Sequence, residues 1–361
     1  MLSGQLYEPI YLIVVTIFTI IVASKYRFVP DIDTFSGVNS YFGTAITLCV
    51  FLILFIGFRP MEWMFGDTLN YYGYYKKALG VPFEFSLDRL NILFDNLLYY
   101  FAAKKTPISL LFALMSFVYF GAVLLTCRKL FSENTLIAFL IFLGAFSTYS
   151  YGVNGVKAGA SASVFLLAVA YRENKVLAYT LFIISIGLHH SMNTAILAFF
   201  CSLLFKNTKI YFIGWIVCII VAALHFQYFQ FLFADYADEK TAKYLMAIKN
   251  DAYNYITGFR LDFILYSSVP ILIGYWMIYK KKISDLSYEF WLRLYILTNS
   301  IWILCMYASF SNRIAYLSWS LFPILLVYPF LGIKWEENKA SYIPKIAICH
   351  LAFTLFMALI Y

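Results

Sequence analysis

Charged residues are scarce in this chain: they make up 13% of its 361 residues, against 63% hydrophobic ones. A water-exposed fold of that length could not cover so much apolar surface. A soluble class is therefore excluded, and a mean hydropathy of +0.77 points to a polytopic membrane protein. Polar stretches long enough for a soluble domain are missing too, because apolar runs able to cross a hydrocarbon core of about 30 Å recur along the whole sequence. There is no basic n-region and no A-x-A cleavage site, and Glu8 stands directly before the first apolar run, so that run is expected to be a retained span. The six cysteines fall inside apolar runs without C-x-x-C spacing, as small buried hydrophobes do. No acidic cluster suits a metal ion, so neither metal nor cofactor is expected. The net charge of +8 does not call for nucleic acid, since basic residues in membrane proteins usually mark cytoplasmic loops.

Hydropathy places candidate spans near 9–24, 41–58, 107–127, 135–150, 155–171, 176–190, 191–205, 209–226, 261–279, 290–308, 313–331 and 342–360. The fold class expected is all-α: a transmembrane helix bundle of about twelve spans, with residues 1–361 forming a single integral membrane domain. If the spans alternate, the short basic loops at Lys25/Arg27, Arg128/Lys129, Arg172/Lys175, Lys206/Lys209, Lys280 to Lys282 and Lys334 all fall on one side. The positive-inside rule makes that side cytoplasmic and puts both termini outside.

The opposite side then carries two long segments, 59–106 and 227–260. In the first, "LDRLNILFDNLLYYFAAKK" (87–105) has apolar residues at helical spacing, interrupted by Asp88, Arg89, Asp95 and Asn96. An amphipathic helix lying in the outer interface is expected there. The cluster "YYGYYKK" (71–77) suits the headgroup zone, where an amphipathic ring anchors, and such rings can also stack on sugars.

On this topology the costly polar residues share one side: Arg59, Asp67, Asn154, Lys157, His189, His190, Arg260, Asp262, Asn312 and Arg313. Ionised groups within a membrane usually face a water-filled cavity or one another, and one outer cavity would satisfy them together. Its excess of positive charge suits phosphate or diphosphate, which arginine grips with a two-pronged fork. Simpler readings stand beside this one. Arg59 before Pro60 can snorkel at a helix end, Arg260 and Asp262 can form a local ion pair, and a single His189 can be a hydrogen-bonded helix end. In "SYGVNGVKAGASAS" (150–163), the glycines and small residues permit either close helix packing or a broken helix whose amides face a ligand.

"GFRPMEWMFGDTLNYYGYY" (57–75), "NGVKAGASASVFLLAVAYRENKVLAYTLFIISIGLHHSM" (154–192) and "SNRIAYLSWSLFPILL" (311–326) resemble the EpsG-type, Wzy-like polysaccharide polymerases of bacteria. The shared pattern is an Arg followed by a G-D-T-x-x-Y loop, an N-x-x-R-Q helix, a helix ending in H-x-S and a late Arg-Ile with a following Tyr. Arg59, Gly66, Asp67, Thr68, Tyr71, Asn154, His189, Ser191, Arg313 and Tyr316 occupy these positions. Where the family has Arg-Gln this chain has Lys157-Ala158, which keeps the charge and loses the fork.

The resemblance implies a GT-C-like glycosyltransferase of the bacterial inner membrane, working on its outer face. Undecaprenyl diphosphate-linked oligosaccharides would be both donor and acceptor, membrane lipid the surroundings and a chain-length regulator protein an expected partner. In such an enzyme Arg59, Lys157, Arg260 and Arg313 stabilise the diphosphate leaving group, with Asn154, Tyr71, Tyr316 and His190 as substrate contacts. His189 or Asp67 is the base, and histidine's ordinary pKa of about 6.5 suits that task. A carrier or flippase for the same anionic glycolipid would use the same cavity without chemistry, and would show a polar path to the cytoplasmic side. An intramembrane serine protease is a further alternative, since Ser161 in "GASA" and His189 both fall near outer helix ends.

Overall fold

The computed structural model describes residues 2–26, 41–225, 258–308, 311–335 and 337–360. Among the described residues there are helices and no strands. In chain order they are α1 (Tyr7–Lys25), α2 (Phe42–Gly57), α3 (Asp67–Lys77), α4 (Ile92–Ala103), α5 (Ile108–Phe131), α6 (Thr135–Leu143), α7 (Phe146–Val153), α8 (Val156–Ala170), α9 (Lys175–Leu188), α10 (Met192–Leu204), α11 (Thr208–Ala223), α12 (Leu261–Tyr275), α13 (Leu286–Leu304), α14 (Ser311–Trp319), α15 (Phe322–Leu331) and α16 (Tyr342–Ile360). Among the described residues, five stretches are long and apolar enough to cross a membrane: Gly4–Lys25, Ile108–Leu143, Leu261–Lys280, Ser311–Leu331 and Lys339–Ile360, with shorter apolar helices between them. This is the make-up of a membrane helix bundle. Hydrogen-bonding every main-chain group within its own segment is the requirement lipid imposes on a spanning chain.

The chain divides into two units, Met1–Asn193 with Phe330–Tyr361, and Thr194–Pro329. In the first, α5 is the central post, packed by α2, α4 and α8, while α9 lies against α8. Lipid-facing helices gain no hydrophobic drive from meeting each other, so close approach and internal hydrogen bonds must hold them. At Gly159 a Cβ would sit 2.5 Å from the Tyr151 carbonyl oxygen, so α7 and α8 can fold back on each other only around a glycine. Ser161 Oγ donates to the Ser185 carbonyl at 2.6 Å and Ser185 Oγ to the Ser161 carbonyl at 2.8 Å. This reciprocal clasp joins α8 to α9 and contributes roughly 0.6–2 kcal/mol per bond.

The segment expected as one span over 135–150 is two helices, α6 and α7, parted at Gly144 and Ala145. The carbonyls freed by the break are satisfied from other helices: Leu143 by the Tyr11 hydroxyl (2.8 Å), Gly144 by Thr354 (2.6 Å) and Phe142 by Thr148 (2.7 Å). Irregular backbone is tolerated in a membrane protein on that condition.

In the second unit α13 packs on α11 and α14. Asn299, fully buried, accepts from Trp215 Nε1 at 2.8 Å and donates to Ser318 at 3.2 Å. Arg293, also buried, donates to the Lys206 carbonyl and the Thr208 hydroxyl, closing the α10–α11 turn against α13. The second long segment expected over 227–260 lies almost wholly outside the described residues; of it, only 258–260 are described.

Candidate functional site

Segment 59–106 is where the sequence expectation needs most correction. The helix expected over 87–105 begins only at Ile92, because Arg89 and Asn96 tie the residues before it into a loop instead. Asn96 donates to the carbonyls of Ser86 (2.8 Å) and Ile92 (2.6 Å), and Arg89 donates to Asn96 Oδ1 (2.9 Å) and the Glu84 carbonyl (3.0 Å). The tyrosine cluster expected as an anchor is itself a helix, α3, with Tyr71 and Tyr75 buried against α4 and α5. Between that helix and the loop lies a cavity of about 470 Å³ lined by Tyr74, Lys77, Phe83, Glu84, Arg89 and Tyr99.

The Arg and G-D-T residues form one interlocked turn. Pro60 stops α2, and Arg59 folds inward, only 1% exposed. Its guanidinium donates to the carbonyls of Ile56 and Val153 (both 2.9 Å) and to Thr68 Oγ1 (2.7 Å), and lies over the Phe112 ring at 4.7 Å. Burial lowers its pKa to about 10, which leaves it protonated at neutral pH. Thr68 in turn donates to the Val153 carbonyl at 2.9 Å. Gly66 is obligatory: its φ of +56° and ψ of −117° are a glycine conformation, and a Cβ there would sit 2.3 Å from Asn154 Oδ1. That oxygen accepts the Asp67 main-chain N–H at 2.9 Å, and Asp67 Oδ1 accepts from Asn70 at 3.1 Å. The first loop is thus pinned to the break between α7 and α8.

Lys157, in the first turn of α8, projects its ammonium over the rings of Tyr71 (5.5 Å) and Phe94 (5.4 Å), which pack edge to face at 5.1 Å. Tyr71 is only 6% exposed, so its ring face is spent on this packing. Val156 and Leu188, the residues before Lys157 and His189, belong to the same buried cluster as Tyr71 and Phe94. The ends of α2 and α9 and the starts of α3, α4 and α8 therefore meet.

At the end of α9 the rings of His189 and His190 stack at 5.0 Å and 15°. His189 Nδ1 accepts the Ser191 main-chain N–H at 3.2 Å and lies 2.7 Å from the Ser191 hydroxyl. His190 meets Asn91, the N-cap of α4, whose Oδ1 accepts the His190 main-chain N–H at 3.2 Å and lies 3.1 Å from His190 Nδ1. Asn91, with its neighbour Asp95, is the participant the sequence reading passed over. Its only signal was polar residues interrupting an otherwise apolar helix.

So Arg59, Asp67, Tyr71, Asn154, Lys157, His189 and His190 fall within one unit, with the histidines joined to the rest through α4, where Asn91 meets His190 and Phe94 meets Lys157. Arg260, Arg313 and Tyr316 belong to the second unit. There Arg260 pairs with Asp262 through Nε at 3.0 Å, the local ion pair that was one of its two readings. Arg313 is exposed in the first turn of α14, and Tyr316 is buried. The protease arrangement is not formed: the Ser161 hydroxyl is fully buried and donates to a main-chain carbonyl, not to an imidazole.

An all-helical membrane bundle with a basic and imidazole-bearing cluster at the ends of its helices is the class this defines. The sequence matches the EpsG family model over residues 43–361, and the chain belongs to the EpsG family. Membership suggests a polysaccharide polymerase-type role in a membrane, with lipid-linked polysaccharide substrates. No curated protein and no solved structure matches it.

Proposed function

We propose that the chain joins undecaprenyl diphosphate-linked oligosaccharide repeat units into surface polysaccharide on the extracytoplasmic face of the bacterial inner membrane. On this reading it is a GT-C-like glycosyltransferase of about twelve spans with both termini outside, acting without metal or nucleotide sugar and working with a chain-length regulator protein. A sugar hydroxyl of one lipid-linked unit attacks the anomeric carbon of another, and the bond to diphosphate breaks with its electrons passing to the leaving group. Fixed cations in a water-poor site stabilise that charge as it develops. Lys157 takes this role in the first unit, and Arg59 holds the loop that frames it. An imidazole of the 189/190 pair receives the hydroxyl proton, with Asp67 and Asn154 at the rim. The cavity between α3 and the 80–90 loop, within the roughly 300–1,000 Å³ usual for ligand sites, offers tyrosine and phenylalanine faces to sugar rings.

The observation that carries the reading is the convergence of 59–71, 91–95, 154–157 and 189–191 through named contacts. A carrier needs a cationic cavity but gains nothing from two oriented imidazoles beside it. The test is purified protein in detergent with a synthetic diphosphate-lipid repeat unit and no nucleotide sugar or divalent ion. A ladder of lengthening products is expected. Unchanged substrate at every enzyme concentration would refute the polymerase reading.

A further inference from the structure

The two adjacent imidazoles have opposite hydrogen-bond partners at Nδ1. A main-chain N–H can only donate, so the Nδ1 of His189 that accepts Ser191's carries a lone pair, and the proton of the neutral ring is on Nε2. At His190 Nδ1 the partner is the Asn91 amide oxygen, which can only accept. Asn91 is held in that orientation from both ends: its Oδ1 receives the His190 main-chain N–H, while its Nδ2 faces Asp95 Oδ2 at 3.5 Å. The same carboxylate oxygen accepts the Asn91 main-chain N–H at 3.1 Å. His190 therefore carries its proton on Nδ1, donated to Asn91, and its lone pair on Nε2.

We infer that His190 is the base of the transfer reaction and His189 its N–H-donating neighbour, an assignment that rests on the polymerase reading above. The motif spacing to Ser191 favours His189, but a neutral ring with its proton on Nε2 offers a donor from that edge. In the step itself the acceptor hydroxyl's O–H bond breaks and its proton moves to His190 Nε2. The hydroxyl oxygen bonds to the anomeric carbon, and the carbon–oxygen bond to the lipid diphosphate breaks with both electrons leaving on the diphosphate. The imidazolium formed donates from Nδ1 to Asn91 Oδ1, and Asp95 behind Asn91 favours that charge. A base oriented by a second group and backed by a third is the arrangement nucleophile-activating sites share. Asn91 is the positioning residue. His190 afterwards returns its proton to water.

Glutamine is the discriminating substitution, because its amide nitrogen can stand in for an Nε2–H donor but cannot accept a proton. In the full-length protein with the diphosphate-lipid repeat unit, His190→Gln should lower turnover about 10²–10⁴-fold, leave KM near the parent value and erase the acid limb of the pH–rate profile. His189→Gln should stay within about tenfold of the parent and keep that limb, since it loses orientation and not the base. His190→Gln turning over at the parent rate, or His189→Gln alone losing the acid limb, overturns the assignment while the ladder made by the parent protein still stands. A parent protein that makes no ladder refutes the polymerase reading instead. In that case nitrogen-15 spectra of the histidines, of which the chain has four, decide the remaining claim. Protonation at Nδ1 in His190 and at Nε2 in His189 supports it, and the reverse pair of tautomers overturns it.

Discussion

Arg59→Lys separates a strut from a ligand. The guanidinium spans three acceptors on three pieces of chain: the end of α2, Thr68 in the first turn of α3 and Val153 at the end of α7. An ammonium keeps the charge but is a point donor on a flexible stem, and cannot reach all three with the same geometry. Losing one hydrogen bond to a charged group costs about 1.5–3 kcal/mol, and the lost stacking on Phe112 adds up to about 2 kcal/mol in a desolvated site. Taking about 3 kcal/mol as the sum shifts the closed-to-open ratio of the 59–71 segment on the order of a hundredfold. The assay is limited proteolysis of the purified protein in detergent, with cleavage sites mapped in that segment, beside KM and kcat for the diphosphate-lipid substrate. Faster cleavage in the segment with a fall in kcat is expected. Parent-like proteolysis with only a raised KM would refute the reasoning, because it would make Arg59 a substrate ligand.

Lys157→Arg restores the forked cation at a position where only the point charge is present, and should lower KM for the lipid diphosphate, while Lys157→Gln should raise it. Substrate titrations of both variants check this, and equal KM values in the two would remove Lys157 from the binding site. Gly66→Ala forces a side chain into a glycine conformation and against Asn154. It should destabilise the loop by about 1–3 kcal/mol, read as faster proteolysis of the same segment with the rest of the bundle unaffected.

The helical framework was legible in the sequence because hydropathy reads helices directly when their surroundings are apolar: α1, α2, α5, α8 and α16 lie within a few residues of their expected places. The break between α6 and α7 was not, since its freed carbonyls are satisfied by Tyr11 and Thr354 from remote parts of the chain. Helix α3 was hidden by composition, as tyrosines and lysines at 71–77 show little apolar periodicity and read as surface anchors. For the site, residue types announced Arg59, Lys157 and the two histidines. Their division of labour did not follow from type or spacing. Arg59 looks like a phosphate ligand until three of its hydrogen bonds are seen spent on the Ile56 and Val153 carbonyls and the Thr68 hydroxyl. His190 looks like a bystander until Asn91, a polar N-cap 99 positions earlier, is found against its ring.

The account turns on the cluster facing the outside of the cell, where exported lipid-linked sugars are available. Trp63 is 77% exposed in the site's first loop, and Val176 is 79% exposed at the start of α9, the opposite end of the helix that carries His189. With the native cysteines replaced by serine, Trp63→Cys and Val176→Cys give two single-thiol proteins to label with a membrane-impermeant maleimide. The account predicts that Trp63→Cys reacts in intact spheroplasts and Val176→Cys only after permeabilisation. The opposite pattern would place the cluster on the cytoplasmic side and contradict it.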